Sequence, residues 1–414
     1  MTSRRVVISG MGTICPTAHN LQDFWTNLLA GKSGIGVIDR FDPTDYPTKI
    51  AAQVNDFNAQ DYMPRTEARR MDLFIQYACA AARLALEDAE LELAKHNPDR
   101  AGVLIGSGIG GIDIFEKQCH VLQKRGPGGV SPFFIPMLIP NMASGHVSIM
   151  FGARGPSSCS VTACATATNS IGDAFRMIKY GTADIMISGG TEAPITPLSI
   201  AGFCAMKALS TRNEEPQKAC RPFDIDRDGF VMGEGAGVVI LEEMEHALKR
   251  GAKIYAELKG YGSSSDAYHI VQPDPEGNGA ARALKAALDE AGVLACELDY
   301  MNAHGTGTHY NDLVETKALK QVLGDDCSKL AITSTKSATG HMLGAAGAVE
   351  LIATVLACNN NLIPANINLD NLDPECDLDL VRGQSRAKHI EVAASESLGF
   401  GGHNAALIIR KFKQ

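Results

Sequence analysis

Two pairs of stretches far apart in the chain read alike. Phe230-Val-Met-Gly-Glu-Gly-Ala-Gly-Val-Val-Ile-Leu is echoed by Phe400-Gly-Gly-His-Asn-Ala-Ala-Leu-Ile-Ile. A strand-to-helix junction around Cys164 is echoed by Ile332-Thr-Ser-Thr-Lys336-Ser-Ala-Thr-Gly-His341. A chain that repeats itself in this way is expected to fold as two similar halves, and 414 residues suffice for two packed units. The pattern begins again near residue 252, which sets the expected halves at 1–252 and 253–414. Apolar runs predict strands at 6–10, 101–106, 183–188, 254–260, 300–304 and 330–335, and apolar residues at helical spacing predict helices at 21–29, 74–90 and 279–291. Strands alternating with helices imply an α/β fold of mainly parallel sheets covered on both faces. Two such halves packed together place a site between them, near the strand ends.

Composition narrows the class. A hydrophobic content of 45% with 41 glycines suits a well-buried α/β enzyme. The net charge of −9 argues against a general role on nucleic acid or a membrane surface. Met1-Thr-Ser-Arg-Arg runs directly into a strand-like segment, with no apolar signal region. The longest apolar run, 343–358, carries Glu350 and is short for a bilayer span. Eleven cysteines occur without a Cys-x-x-Cys pair, which points to free thiols in a reducing cytoplasm rather than a disulfide framework. Gly106-Ser-Gly108-Ile-Gly-Gly111 matches the dinucleotide fingerprint letter for letter. No acidic residue follows about 20 positions on to hold a ribose, so a tight turn is the better reading.

The segment 157–182 carries the most chemistry. Its first part is small and β-branched, like a buried strand that stops abruptly. Its second part has Ile171, Ala174, Phe175 and Ile178 at helical spacing, with Gly181 where the helix would end. Cys164 falls at the junction, where unpaired N–H groups and the positive end of the helix dipole favour a thiolate. A lone Cys among small residues is more often plain packing. Three segments of the second half offer it partners. They are Asn302-Ala-His304-Gly-Thr306-Gly-Thr308, Lys336 with His341 ahead of Glu350, and Leu398-Gly-Phe400-Gly-Gly-His403-Asn404. Each has a plain structural explanation by itself. A Cys, two His and a Lys at strand ends of repeated halves are harder to dismiss together.

These segments carry a resemblance. Val-Thr-Ala-Cys-Ala-Thr, Asn-Ala-His-Gly-Thr-Gly-Thr, Ser-Thr-Lys-Ser-Ala-Thr-Gly-His and Leu-Gly-Phe-Gly-Gly-His-Asn resemble the β-ketoacyl-acyl-carrier-protein synthases, above all the bacterial type II enzyme of fatty-acid elongation. The likeness covers nearly the whole chain and includes Ser210-Thr-Arg-Asn, Arg221-Pro-Phe-Asp, Arg227-Asp-Gly-Phe and Ser265-Asp-Ala-Tyr-His. It implies a thiolase-like fold, two duplicated α/β halves in an α-β-α-β-α layering, usually as a homodimer. It also implies a decarboxylative Claisen condensation of a Cys-bound acyl chain with malonyl thioester on acyl carrier protein. No cofactor of its own is expected, since phosphopantetheine arrives on the carrier.

Carried over residue by residue, the resemblance makes Cys164 the nucleophile and His304 and His341 the donors to the developing enolate. Lys336 sets the local electrostatics, with Glu350 as its counter-charge. The oxyanion hole falls on the N–H groups of Cys164 and Phe400, and gating on Phe400, Gly401 and Asp266. Thr306 and Thr308 would contact the phosphopantetheine arm, and Ile109 and Phe203 would line the acyl pocket. Acyl carrier protein is acidic, so Arg65, Arg69, Lys124, Arg125 and Lys207 become docking candidates. The chemistry needs no catalytic metal, and Cys/His/His reads as catalytic rather than as a zinc set. A structural cation is implied near Asn302, Glu315, Glu350 and Glu396.

Glu396 departs from the family, which usually has Asn there. The extra carboxylate would tighten the cation or replace a hydrogen bond. Ala167 stands where Gly or Ser is common in the family, and Gly307 gives the Gly-Thr-Gly-Thr form often seen in polyketide synthases. The rival reading is therefore a ketosynthase of a type II polyketide or polyene pathway, paired with a chain-length-factor-like subunit. A non-catalytic, interaction-only homologue is disfavoured by the intact Cys164, His304, Lys336 and His341.

Overall fold

The computed structural model describes residues 4–324 and 329–413, so Met1 to Ser3 of the leading segment lie outside the described residues. Ten strands form one continuous sheet. We number them β1 (Val6–Ile14), β2 (Ala101–Gly106), β3 (Ser157–Ser158), β4 (Ile185–Glu192), β5 (Gly235–Glu243), β6 (Ala256–Ser265), β7 (Tyr300–Asn302), β8 (Ala331–Thr333), β9 (Val392–Gly399) and β10 (His403–Lys411). Their order is β8-β7-β9-β10-β6-β1-β5-β4-β2-β3. Read outward from the middle, each half has the same plan. β2 is parallel to β3 and β4, as β7 is to β8 and β9, and the two inner junctions of each half are antiparallel. The halves are hydrogen-bonded to each other where Val6, Val7 and Ile8 pair with Leu258, Glu257 and Ala256. The expected pair of sheets is therefore joined through one edge of each.

The helices complete the layers. α1 (Leu73–Asp88) covers β1 and β5 on one outside, and α3 (Asn278–Ala291) with α4 (His309–Leu323) covers the other half. Between the halves lie α2 (Thr166–Lys179) and α5 (Ala346–Asn360), which touch each other and both sets of strands. The duplication extends to backbone approach. A Cβ at Gly12 would lie 2.2 Å from the Ala81 carbonyl oxygen of α1, and one at Gly262 2.0 Å from that of Ala283 of α3. Only glycine lets each outer helix sit this close to its strand.

α5 explains the apolar run at 343–358. Leu343–Asn360 is 18 residues with a mean hydropathy of 1.3, long and apolar enough to cross a membrane. Its window is 83% buried inside the protein. A helix apolar all round belongs in a core, and this one is enclosed by strands. Residues 157–162, by contrast, do not form the expected buried strand. Only Ser157 and Ser158 are in β3, at the outer edge of the sheet, and both are exposed. Small and β-branched residues suit an edge as well as a core, and burial there depends on what lies beyond the edge.

Candidate active site

The two buried central helices begin alike. α2 is preceded by a tight turn, Ala163–Ala165, and α5 by Leu343–Ala345. Ala163 and Leu343, first in each turn, both have left-handed backbones, at φ of +49° and +45°. Cys164 is the middle residue of the first turn. The equivalent turn of the second half is Leu343–Ala345, so the sequence echo at Lys336 to His341 marks an addition: a short helix, Lys336–Thr339, inserted between β8 and that turn. That addition delivers two of the chemical groups.

His341 is held by its backbone. Its N–H donates to the Val231 carbonyl at 2.7 Å, and its own carbonyl accepts from Gly233 N–H at 2.8 Å. His304 follows β7, where its N–H and that of Gly305 donate to the Glu315 carboxylate at 2.5 and 2.7 Å. Lys336 Nζ donates to the His304 carbonyl at 2.6 Å and lies 3.3 Å from His304 Nδ1. It also pairs with Glu350, and both side chains are buried. An ammonium has only donors, so Nδ1 is the acceptor and the ring proton of neutral His304 sits on Nε2.

These groups meet. Cys164 Sγ and ring nitrogens of His304 and His341 all lie within 4.8 Å of one another. They line a cavity of about 520 Å³ together with Ile109, Phe203, Thr306, Thr308, Asp266 and Phe400. A file of rings crosses it: Phe400 to Phe203 at 6.3 Å, Phe203 to Phe230 at 5.5 Å, Phe230 to His341 at 5.2 Å, and His341 to His304 at 5.2 Å.

Electrostatics at the site follow burial. Burial, with Lys336 next, holds both imidazoles well below the ordinary histidine value, and His341 adds to the effect on His304. Both are neutral donors at physiological pH. Burial also pushes the Cys164 thiol up to about 12, against the pull of Lys336 and of a hydrogen bond from the Phe400 N–H. The start of a helix alone favours a thiolate; enclosure by apolar residues of its own half, such as Ile200 and Phe230, and by Leu343 of the other reverses that, and the resting group is the thiol. Cys, His and His at such spacing are also zinc donors. The Lys336 ammonium against His304 opposes a second cation there.

The loop after Phe400 is latched rather than loose. Asp266 N–H donates to the Gly402 carbonyl at 2.9 Å, Asn404 Nδ2 to Asp266 Oδ1 at 2.7 Å, and Gly401 N–H to the Ile270 carbonyl at 2.9 Å. On the opposite wall, the hydroxyls of Thr306 and Thr308 lie 2.9 Å apart. Buried Arg227 donates to the Thr308 and His309 carbonyls at 3.1 Å and to Asp373 at 2.7 Å. The motif Arg227-Asp-Gly-Phe thus serves the threonine loop, and Phe230 to Gly233 serves His341.

Two family profiles cover this arrangement. The "Beta-ketoacyl synthase, N-terminal domain" matches residues 3–247, and the "Beta-ketoacyl synthase, C-terminal domain" matches 255–370. The chain belongs to the β-ketoacyl synthase family. It is 52% identical over 413 residues to "3-oxoacyl-[acyl-carrier-protein] synthase 2" of Synechocystis sp., across 100% of this chain and 99% of that one. Among solved structures it resembles a type II polyketide synthase acyl-carrier protein in complex with its ketosynthase bound to the hexaketide, at 35% identity and a TM-score of 0.93, with both chains fully covered. It resembles the ishigamide ketosynthase/chain length factor at 34% identity and the same TM-score, across 100% of each chain.

The other expected residues of this synthase are less gathered. Lys207 lines the mouth of the cavity, while Arg65, Arg69, Lys124 and Arg125 are exposed on helices or helix ends that do not line it. None of the five forms an ion pair among the described residues. At the implied cation set, Asn302 Oδ1, Glu350 Oε2, Ser395 Oγ and both carboxylate oxygens of Glu396 are buried without a hydrogen-bond partner. Oxygen donors left bare in this way suit a hard cation. Glu396 makes no replacement hydrogen bond, and burial followed by Glu315 holds its carboxyl well above the usual range.

Phe230 and Glu192 line the cavity as well. Phe230 stands in two of the motifs above, the repeat and Arg227-Asp-Gly-Phe, while Glu192 stands in none of them.

Proposed function

We propose that this synthase is a 3-oxoacyl-[acyl-carrier-protein] synthase of the second type, which elongates fatty acids by condensing a Cys164-bound acyl chain with malonyl-acyl-carrier-protein. The observation that carries the reading is the meeting of Cys164 Sγ with His304 and His341 within 4.8 Å, in a cavity with one end at the surface. In the first half-reaction Cys164 sulfur attacks the acyl thioester and a new thioester forms. The thiol proton leaves with the phosphopantetheine sulfur, which is released on its carrier. The N–H groups of Cys164 and Phe400 take the oxyanion, and the Phe400 backbone already favours negative charge on the sulfur. One such donor lowers the barrier by on the order of 3 kcal/mol.

In the second half-reaction malonyl thioester loses carbon dioxide, and its carbonyl oxygen gains charge as an enolate. Neutral His304, presenting Nε2–H, and neutral His341 donate to that oxygen. The carbanion attacks the acyl-Cys carbonyl, the C–S bond breaks, and the Cys164 thiolate that leaves takes a proton from solvent. Lys336 orients His304 from behind. Thr306 and Thr308 hold the arm, Ile109 and Phe203 border the acyl chain, and Phe400, Gly401 and Asp266 form the gate. A cation held by Asn302, Glu350, Glu396 and Glu315 would balance charge next to the Lys336–Glu350 pair. The halves divide at 252/253.

Acyl carrier protein is the partner, received at Lys207 and at Arg65, Arg69, Lys124 and Arg125. A homodimer formed at the open edge of β3 is supported by exposed Val161, three residues beyond that strand, and exposed Ile149, on a helix that packs against it. The cytoplasm is the proposed compartment. The polyketide ketosynthase reading shares the fold at 34–35% identity, whereas 52% identity to the elongation enzyme favours fatty-acid synthesis. The test is incubation of purified protein with acyl-acyl-carrier-proteins of graded length plus malonyl-acyl-carrier-protein, read by mass spectrometry. A product two carbons longer with a 3-oxo group supports the reading. Iterated poly-β-keto products that appear only with a second synthase-like subunit favour the polyketide alternative.

A further inference from the structure

Glu192, the last residue of β4, is a wholly buried carboxylate that the condensation chemistry does not use. It accepts four hydrogen bonds. Ser107 Oγ at 2.7 Å and Ile109 N–H at 3.1 Å donate to Oε1, and Gly108 N–H at 2.7 Å and Gly344 N–H at 3.0 Å donate to Oε2. Four converging donors, three of them backbone, are what a buried anion requires. They come from separate places. Ser107 to Ile109 form the loop after β2, whose Ile109 walls the cavity. Gly344 belongs to the other half, three residues beyond His341. A Cβ at Gly344 would lie 2.4 Å from Glu192 Oε2, so this contact demands glycine there.

The duplication gives the contact a meaning. Gly344 is the middle residue of the turn that opens α5, as Cys164 is of the turn that opens α2. At Cys164 the N–H of that turn is available to a transient oxyanion. At Gly344 the same N–H is occupied by a permanent carboxylate. Glu192 also contributes to raising the Cys164 thiol.

We propose that Glu192 is a positioning residue that clamps the Ile109 wall of the acyl pocket to the turn following His341, and so sets both half-reaction sites relative to Cys164. Glu192→Gln tests this, because its amide NH2 would face N–H donors that now meet oxygen. Condensation kcat is expected to fall about tenfold or more, with KM for malonyl-acyl-carrier-protein unchanged within about threefold. Iodoacetamide should alkylate Cys164 several-fold faster at pH 7, since an opposing charge is gone. Glu192→Asp keeps the charge and should alkylate near the wild-type rate, while its shorter reach leaves kcat low.

A merely structural role would lower activity with the folded fraction and would not accelerate alkylation. Unchanged alkylation in Glu192→Gln, or kcat within about twofold of wild type, overturns the proposal. If that variant does not fold, Ser107→Ala removes a single donor and should show the same kcat-against-KM split at about threefold. Wild-type kinetics there overturn it equally.

Discussion

Lys336 Nζ donates to the carbonyl of His304 at 2.6 Å and lies 3.3 Å from Nδ1 of the same residue. One ammonium thus fixes both the backbone and the ring of the imidazole that faces Cys164, while Glu350 holds it from the other side. Lys336→Met should leave Glu350 buried and unpaired, destabilising the fold by about 3–5 kcal/mol. Malonyl decarboxylation should fall further than acyl transfer, because ring orientation matters to the former. Thermal melts and separate assays of the two half-reactions check it.

The two histidines carry a pH signature. Both are held well below the ordinary value of 6.5 by burial and Lys336. Decarboxylation should therefore show no acid limb near pH 6.5. Stability has a definite sign too. Below about 6.5 the unfolded chain takes up protons that the folded chain refuses, so the histidine contribution is present above that pH and is lost as pH falls below it. The wild type should lose more stability between pH 7 and 5 than His304→Gln/His341→Gln, in chemical denaturation at each pH.

Cys164, with its thiol pushed up to about 12, should react slowly with iodoacetamide at neutral pH. The rate should climb through pH 9 without a plateau, read by mass spectrometry of the labelled peptide. A plateau near pH 7 would mean a resting thiolate.

The residues proposed for docking should separate carrier from cargo. Lys207→Glu should raise KM for carrier-bound substrates several-fold and leave small thioesters unaffected, and Arg65→Glu/Arg69→Glu should do the same. Equal effects on both substrate types would remove these residues from the docking surface. Higher ionic strength should mimic the charge reversals.

Much of the site was legible before any coordinates. Cys164, His304, Lys336, His341 and Phe400 sit in four separate motifs whose residue types the chemistry demands, and local spacing put each at a turn. What local spacing could not show was set by distant contacts. The thiol at Cys164 reads as activated because its own helix start is electropositive, but its enclosure is built by residues distant in sequence, from Ile38 to Leu343. Residues 157–162 looked buried because their side chains are small, while β3 turned out to be the last strand. Glu192 carried no local mark at all, because its donors lie in a loop some 84 residues earlier and a turn 152 residues later. The echo around Lys336 reflects the duplication but misplaces its register, because the inserted Lys336–Thr339 helix shifts the counterpart of Cys164 to Gly344.

In the proposed reaction Cys164 holds the acyl chain while the second half decarboxylates the extender. The most direct measurement follows intact-protein mass and product together for wild type, Cys164→Ala and Cys164→Gln, given acyl- and malonyl-acyl-carrier-protein. Wild type should show an acyl adduct on the Cys164 peptide and a 3-oxoacyl product two carbons longer. Cys164→Ala should show neither, and Cys164→Gln should decarboxylate without condensing. Condensation by Cys164→Ala at the wild-type rate would contradict that reaction.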